Sequence, residues 1–203
     1  MENYTYAIKI VMVGETNVGK SSLRKLFINN VFDPLIRPTI GVDLSYKMIE
    51  QDDETIRIEI RDTAGLERYQ SIPAMLFRNC LGAVVVYDIT SRESFDQTKK
   101  WLDLFKNYGG YKDTTKNIFL VGNKSDLSTQ RNVSKEEGVT YAQNCQNMNV
   151  VFTETSAKES NGFCEQLMNF IHKLAEMYKK AIKIHPEDEK VVITALPKHN
   201  KCC

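Results

Sequence analysis

The chain has 203 residues, of which 42% are hydrophobic, so it is long enough for one well-packed domain with a tail and less suited to two domains. Its 27 lysines and arginines nearly balance 26 aspartates and glutamates, and this net charge of +1 excludes the strong field that attracts nucleic acid or acidic membranes. No apolar run approaches the roughly 20 residues that span a bilayer, so we expect a cytosolic protein.

Short apolar runs separated by helical patterns predict a mostly parallel α/β sheet. The runs are residues 7–13, 83–87, 118–121 and 150–152. Residues 55–61 differ, because isoleucines alternate there with charged residues, and residues 51–54 form a polar connection back to residues 44–49. We therefore expect a β-hairpin with a half-exposed edge strand.

Helical patterns are predicted around residues 95–105, from a capping box at Ser134 and Glu137 to about Cys145, and over residues 163–180. The last helix should pack on the sheet through an apolar stripe of Leu167, Phe170, Ile171, Leu174 and Tyr178. From Ala181 the periodicity stops, so we expect one domain over residues 1–180 and a flexible tail over residues 181–203.

The internal cysteines are isolated from one another along the chain. They are Cys80, Cys145 and Cys164. This isolation favours reduced thiols over a disulfide framework.

The motif GETNVGKS at residues 14–21 directly follows the first predicted strand and precedes a helix, which is the context of a phosphate-binding P-loop. Its glycines let backbone N–H groups curl around a phosphate, and the helix N-terminus adds positive potential. Lys20 would reach the outer phosphates, and the Ser21 hydroxyl would ligate Mg²⁺. The predicted nucleotide contacts here are Thr16, Asn17, Val18, Gly19, Lys20, Ser21 and Ser22.

A P-loop alone leaves ATPases, nucleotide kinases and GTPases open, and the motif NKSD at residues 123–126 addresses the base. It follows a predicted strand, at the edge of the sheet where open α/β folds bind ligands. The Asp126 carboxylate can accept both the ring N–H and the exocyclic amine of guanine. Adenine has no such pair of donors and would leave the carboxylate unpaired, so we predict guanine specificity.

With DTAG at residues 62–65 following the P-loop and preceding NKSD, residues 6–180 resemble the Ras superfamily of small GTPases. The resemblance implies a three-layer P-loop NTPase fold whose mostly parallel six-stranded sheet has one antiparallel edge strand and is covered by five helices. It also implies GTP and GDP as ligands together with Mg²⁺, and hydrolysis of GTP to GDP and phosphate.

The resemblance assigns roles around the base. Asn123 ties its loop to the P-loop, the stem of Lys124 lies along the base, and Phe32 contacts the base edge-on. A third loop, TSAK at residues 155–158, presents a backbone N–H to the guanine oxygen. The residues implied there are Ser156, Ala157 and Lys158.

The resemblance also implies how the metal and the γ-phosphate are held. Thr39 completes Mg²⁺ binding and senses the γ-phosphate, Asp62 holds Mg²⁺ through water, and Gly65 meets the γ-phosphate. Loss of the γ-phosphate would release the loops around Thr39 and Leu66, so the output of this switch is order against disorder.

Within the superfamily, residues 38–43, residues 67–69 and the terminal cysteine pair are similar to the Rab branch. That branch regulates vesicle and membrane traffic. Its members are expected to be monomers that bind an exchange factor, a GTPase-activating protein, a GDP-dissociation inhibitor, an escort protein and GTP-state effectors. Arg61 stands where Rab proteins usually carry tryptophan, and residues 74–77 also depart from the pattern, so the subfamily stays open.

Leu66 occupies the position of the glutamine that orients the attacking water in this family, and leucine cannot position a water. Thr16 also places a side chain near the point where a stimulating arginine would enter. We expect very slow intrinsic hydrolysis. Two alternatives stay open: a nonhydrolysing GTP-bound scaffold, and hydrolysis restored by an activating protein that supplies its own glutamine and arginine.

Cys202 and Cys203 are adjacent at the C-terminus, where a disulfide between them is strained and no histidine-rich spacing supports a metal site. The Rab resemblance implies a geranylgeranyl group on each. Two lipid chains give stable anchoring where one gives only marginal anchoring. We therefore expect the protein on the cytoplasmic face of intracellular membranes, cycling with the cytosol.

Overall fold

The computed structural model describes residues 4–35, 43–62, 74–110, 115–160 and 162–184. Within these residues six strands form one sheet in the order β2-β3-β1-β4-β5-β6. The strands are β1 (Tyr6–Val13), β2 (Asp43–Gln51), β3 (Glu54–Asp62), β4 (Gly82–Asp88), β5 (Lys116–Asn123) and β6 (Met148–Glu154). All neighbouring pairs are parallel except β2 and β3, which confirms the predicted topology.

Five α-helices lie in the described part of the chain, as expected: α1 (Lys20–Asn29), α2 (Arg92–Asp96), α3 (Thr98–Tyr108), α4 (Lys135–Gln143) and α5 (Phe163–Ile184). The predicted capping box opens α4. The Glu137 N–H donates to Ser134 Oγ at 3.1 Å, and the Ser134 N–H donates to the Glu137 carboxylate at 2.9 Å. Both hydrogen bonds satisfy backbone N–H groups that have no partner within the helix at its N-terminus.

The sheet lies between two apolar clusters, which makes three layers. On one face, Ile10 of β1 and Phe27 of α1 pack with the stripe of α5. On the other face, Tyr87 of β4 packs with Trp101 and Phe105 of α3. Side chains of this size each stabilise the fold by about 1.5–3 kcal/mol relative to an exposed position.

The five predicted stripe residues of α5 are all buried. The helix does not end near Lys180 as predicted but continues to Ile184. Residues 181–184 have the sequence AIKI, without glycine or proline, so the helix can continue after its packing stripe has ended. The remainder of the predicted tail lies outside the described residues.

The half-exposed edge strand is β2, and the alternating segment β3 lies inside the sheet between β2 and β1. Ile56, Ile58 and Ile60 are buried as their alternation predicts. The charged face of β3 is less exposed than the alternation suggests, because Arg57 pairs with Glu59 at 3.0 Å and leaves Glu59 only 9% exposed.

The three internal cysteines are free thiols, as predicted. Burial raises the pKa of the Cys80 thiol to about 11, so this thiol stays protonated and unreactive at neutral pH. Among the described helices, none combines the length and apolar character required to cross a bilayer.

Candidate functional site

The P-loop joins the end of β1 to the start of α1 through two glycines that no other residue can replace without strain. Gly14 has a φ of 143°, and a Cβ there would lie 2.1 Å from the carbonyl oxygen of Val86. Gly19 has a φ of 96°, and a Cβ there would lie 2.2 Å from Nδ2 of Asn123. Both positions therefore allow the loop to curl beneath the start of α1.

Lys20 folds back across this loop. Its Nζ donates to the carbonyl oxygens of Gly14 at 2.8 Å and Glu15 at 2.7 Å, and the residue is only 4% exposed. The ammonium group thus lies beside the N-terminus of α1, and together they create a positive region suited to phosphate.

The other predicted P-loop contacts differ in exposure. Thr16 and Asn17 are exposed at the loop surface, and Asn17 has a left-handed φ of 64°. Val18 is buried, and Ser22 is half-buried on α1. An exposed Thr16 is consistent with a side chain that an incoming partner would meet.

The predicted metal residues Ser21 and Asp62 are brought together although they are 41 positions apart in the chain, and the Ser21 hydroxyl donates to Asp62 Oδ2 at 2.7 Å. Asp62 is fully buried, and its Oδ1 has no hydrogen-bond partner in the described structure. A buried carboxylate oxygen without a partner is costly unless a cation or its water completes the site. These residues therefore fit Mg²⁺, which is commonly held by one or two carboxylates, substrate phosphates and water.

Two members of the predicted phosphate and metal set, Thr39 and Gly65, lie outside the described residues, and so does Leu66. Among the residues that are described, no group of three or more His, Cys, Asp and Glu side chains forms a cluster suited to a metal. The fit to Mg²⁺ therefore depends on Ser21 and Asp62 alone within the described structure.

Arg24 is a site residue that the sequence interpretation did not identify. It is 7% exposed, and its guanidinium lies between Asp62, with Nε 3.2 Å from Oδ2, and Asp43, with Nη2 2.6 Å from Oδ2. One feature of the sequence could have indicated that Arg24 lies near the predicted metal residues. Arg24 follows Ser21 by three residues, so the two side chains share a face of α1.

Asn123 joins the three loops of the site. Its Nδ2 donates to the Val18 carbonyl oxygen at 2.8 Å, and its Oδ1 accepts the Ala157 N–H at 3.1 Å. Asn123 is 2% exposed, so neither contact competes with much water. One buried amide thus joins the P-loop to the loops for which the sequence predicts base binding.

Asp126 and Ser156 hold each other in place. The Ser156 hydroxyl donates to Asp126 Oδ1 at 2.6 Å, and the same hydroxyl oxygen accepts the Glu159 N–H at 3.2 Å. Backbone bonds from the Ser125 N–H to Thr155 and from the Thr155 N–H to Gly122 fix the two loops side by side. Asp126 is half-buried, whereas Lys158 is exposed.

Lys124 is oriented by a partner that the sequence interpretation also missed. Its Nζ lies 2.8 Å from Oδ2 of Asp88, which is 7% exposed at the end of β4. Asp88 Oδ1 accepts from both the N–H and the hydroxyl of Thr90 at 2.8 Å. Asp88 could have been identified from the sequence, because it is a carboxylate at the end of a buried strand. That end lies at the same sheet edge as the NKSD motif.

Phe32 is half-buried and packs against the cluster that contains Phe27. The turn that follows it is held by Asp33, whose carboxylate accepts the Leu35 N–H at 2.9 Å and pairs with Lys25 at 3.0 Å. The hydrogen bond from the Leu35 N–H, and then that from Lys25, lower the pKa of Asp33 below its usual value. Phe32 is thus presented beside the P-loop helix by a defined turn.

Comparison with known proteins agrees with this arrangement. The Ras family matches residues 9–176 of the chain. The Ras-related protein RABA6b of Arabidopsis thaliana is 38% identical over 181 residues, which cover 89% of this chain and 76% of that protein. The Ras-related protein RABA4c of the same plant is 40% identical over 174 residues, which cover 86% of this chain and 74% of that protein.

Proposed function

This chain belongs to the Ras family as a Rab-type small GTPase, and from that membership we propose that it is a guanine-nucleotide switch regulating vesicle and membrane traffic. The observation that carries the proposal is the assembly around Asn123. One buried amide links the P-loop to the Ala157 loop, and that loop's Ser156 orients Asp126. These contacts support the proposal because they would hold a phosphate-binding loop and a base-recognising carboxylate side by side.

Nucleotide competition on the purified chain tests this proposal. With Mg²⁺ present, GTP and GDP should displace a fluorescent guanine nucleotide at concentrations at least 10³-fold lower than ATP and ADP, because only guanine satisfies the Asp126 carboxylate. Equal competition by ATP would contradict the proposal and favour a P-loop kinase or ATPase.

We assign Lys20 to the outer phosphates, and Ser21, Thr39 and Asp62 to Mg²⁺. When bound, Mg²⁺ neutralises charge on the β- and γ-phosphates. The chain's own contribution is to bring the Ser21 hydroxyl to 2.7 Å from Oδ2 of Asp62. Gly65 and Thr39 complete the proposal as the groups that sense the γ-phosphate.

We further propose that intrinsic hydrolysis of GTP is very slow. Leu66 has no polar group with which to orient water, and Thr16 lies exposed on the loop that an arginine from a partner would approach. The protein would then stay in its GTP-bound form for long periods. If hydrolysis were absent altogether, the protein would be a scaffold that binds GTP without hydrolysing it.

Single-turnover hydrolysis by Leu66→Gln and by the native chain, with and without an activating protein, tests the proposal about rate. We expect Leu66→Gln to raise the intrinsic rate by about tenfold or more, since a water-orienting amide would be restored. A native chain as fast as Leu66→Gln would refute slow hydrolysis. Strong stimulation of the native chain by the activating protein would refute the scaffold alternative, because an arginine finger alone contributes roughly 10³ to 10⁵ in rate.

The GTP-dependent partner surface is proposed to comprise residues 32–43 and residues 66–77. Exchange factors, activating proteins, a GDP-dissociation inhibitor, an escort protein and effectors are the expected partner classes. Exposed apolar side chains that a partner could cover are present within the second segment, at Met75, and directly after the first segment in the chain, at Leu44 and Tyr46.

Attachment to membranes is proposed to depend on geranylgeranyl groups at Cys202 and Cys203. The nearly balanced charge of the chain offers little electrostatic attraction to anionic lipid, so the lipids would supply the affinity. A double cysteine-to-serine variant should move from the membrane to the cytosolic fraction. If it sediments with membranes as the native chain does, lipidation at these positions is refuted.

A further inference from the structure

We propose that Arg24 is a positioning residue that sets the magnesium dependence of nucleotide retention, because its guanidinium forms an ion pair with the Asp62 carboxylate. The inference rests on the proposed function and names a regulation of the same site. In this role Arg24 holds Asp62 while the metal is absent and opposes the metal's arrival through charge repulsion.

The first observation is the geometry of the guanidinium. Arg24 contacts three residues with its three nitrogens: Asp62 through Nε at 3.2 Å, Asp43 through Nη2 at 2.6 Å, and Ser45 Oγ through Nη1. The planar fork of arginine presents donors in fixed, diverging directions, which suits three acceptors on separate residues. The Arg24 side chain is 9% exposed and that of Asp62 is fully buried, so solvent screens their contact little, whereas the Asp43 side chain is 46% exposed and its contact is screened more.

The second observation is the charge balance at Asp62. Its Oδ2 accepts from both Ser21 and Arg24, whereas its Oδ1 has no hydrogen-bond partner in the described structure. Among the described residues Arg24 is the cation that forms an ion pair with this buried carboxylate. Bound Mg²⁺ would place a second cation beside the same carboxylate, so Arg24 reduces the free energy gained by binding the metal.

The third observation is that a second carboxylate offsets part of the charge on Arg24. Asp43 lies at the start of β2, directly across the ladder from Asp62, and its carboxylate neutralises part of the charge on Arg24. Without the Asp43 carboxylate, more of the Arg24 charge is directed at Asp62 and at the metal position. Removal of Arg24 and removal of the Asp43 charge should therefore shift the affinity for Mg²⁺ in opposite directions.

The experiment measures release of fluorescent GDP from the full chain over a series of free Mg²⁺ concentrations, and records the Mg²⁺ concentration that half-suppresses release. The variants are Arg24→Met, Arg24→Lys and Asp43→Asn. Arg92→Met is the matched control, since Arg92 forms an exposed ion pair with Glu137 on α4.

Arg24→Met should lower the half-suppressing Mg²⁺ concentration about tenfold, and its melting temperature in EDTA should fall more than its melting temperature in Mg²⁺. Asp43→Asn should raise the half-suppressing concentration about threefold. Arg24→Lys keeps the charge but loses the planar fork, so it should lower the half-suppressing concentration less than Arg24→Met does, and Arg92→Met should not differ from the native chain. If Arg24→Met does not fold, the Asp43→Asn and Arg24→Lys results decide.

A structural role alone would loosen the site in both variants and shift both in the same direction, and that result would overturn the proposal. Unchanged Mg²⁺ dependence in both variants would also overturn it, while the proposed switch function would stand. Release that does not respond to Mg²⁺ in the native chain would refute the metal assignment and this inference together.

Discussion

The proposed base side of this site, around Asn123 and Asp126, and its proposed magnesium side, around Ser21 and Asp62, are held together by different forces. On the base side, the main fixed contacts are hydrogen bonds made by Asn123 and Ser156 across three loops. On the magnesium side, Arg24 connects the carboxylates of Asp43 and Asp62, which lie on the neighbouring antiparallel strands β2 and β3. One oxygen of Asp62 has no hydrogen-bond partner in the described structure.

The difference indicates a division of labour. Hydrogen bonds between fixed loops define a geometry and change little with ionic conditions, so they suit the permanent task of selecting the base. The electrostatic free energy of a cluster of positive and negative side chains changes when a metal ion or a phosphate binds beside it. Such a cluster therefore suits a site that is proposed to respond to Mg²⁺ and the γ-phosphate.

The largest predicted effect is on the base side. Asp126→Asn removes a charged acceptor of two guanine donors, each worth about 1.5–3 kcal/mol, so GTP affinity should fall by about 10³-fold or more. The new amide offers one acceptor and one donor, which match the ring N–H and the C2 carbonyl of xanthine. Calorimetric titration should therefore show a gain in affinity for xanthosine triphosphate.

Asp53→Asn is the matched control for this substitution, because Asp53 is exposed in the β2–β3 turn with a left-handed φ of 62°, which asparagine tolerates. It should leave both affinities unchanged. If Asp126→Asn still prefers GTP, base selection does not depend on this carboxylate and the comparison fails on its base side.

On the magnesium side we expect an intermediate effect that depends on the nucleotide. Ser21→Asn replaces the hydroxyl that donates to Asp62 at 2.7 Å and should lower GTP affinity by about 10²-fold, but GDP affinity considerably less. GTP should be affected more, because its γ-phosphate would add to the charge that Mg²⁺ neutralises when bound. The ratio of the two affinities is an internal control, and an equal loss for both nucleotides would argue against the metal assignment.

The smallest predicted effect sharpens the comparison, because the base side also contains an ion pair, between Lys124 and Asp88. Asp88→Asn removes the charge that orients Lys124 at 2.8 Å but keeps an oxygen for the Thr90 bonds. GDP should dissociate about three- to tenfold faster at constant Mg²⁺, and the Mg²⁺ dependence of release should not change. A shift in that dependence would show that the two sides are coupled by charge.

Much of the fold and the site was predictable from the sequence because the signals are local. The P-loop, the capping box at Ser134 and the apolar stripe of α5 each lie within one short segment, whose residue spacing identifies them. The order of strands and motifs also indicated that the loops after β1 and β5 meet, since parallel strands place their carboxyl ends at one edge of the sheet.

The sequence by itself therefore determined which residue types and motifs are available for the proposed chemistry: a P-loop for phosphate, a carboxylate proposed for guanine, and a leucine at the position proposed for a glutamine. Only the tertiary structure decided which charges meet. Arg24 faces Asp62 and Asp43, and Asp88 faces Lys124, because the sheet brings together residues that are far apart in the chain. Periodicity describes which face of an element a residue occupies, but the partner on that face is set by packing between elements.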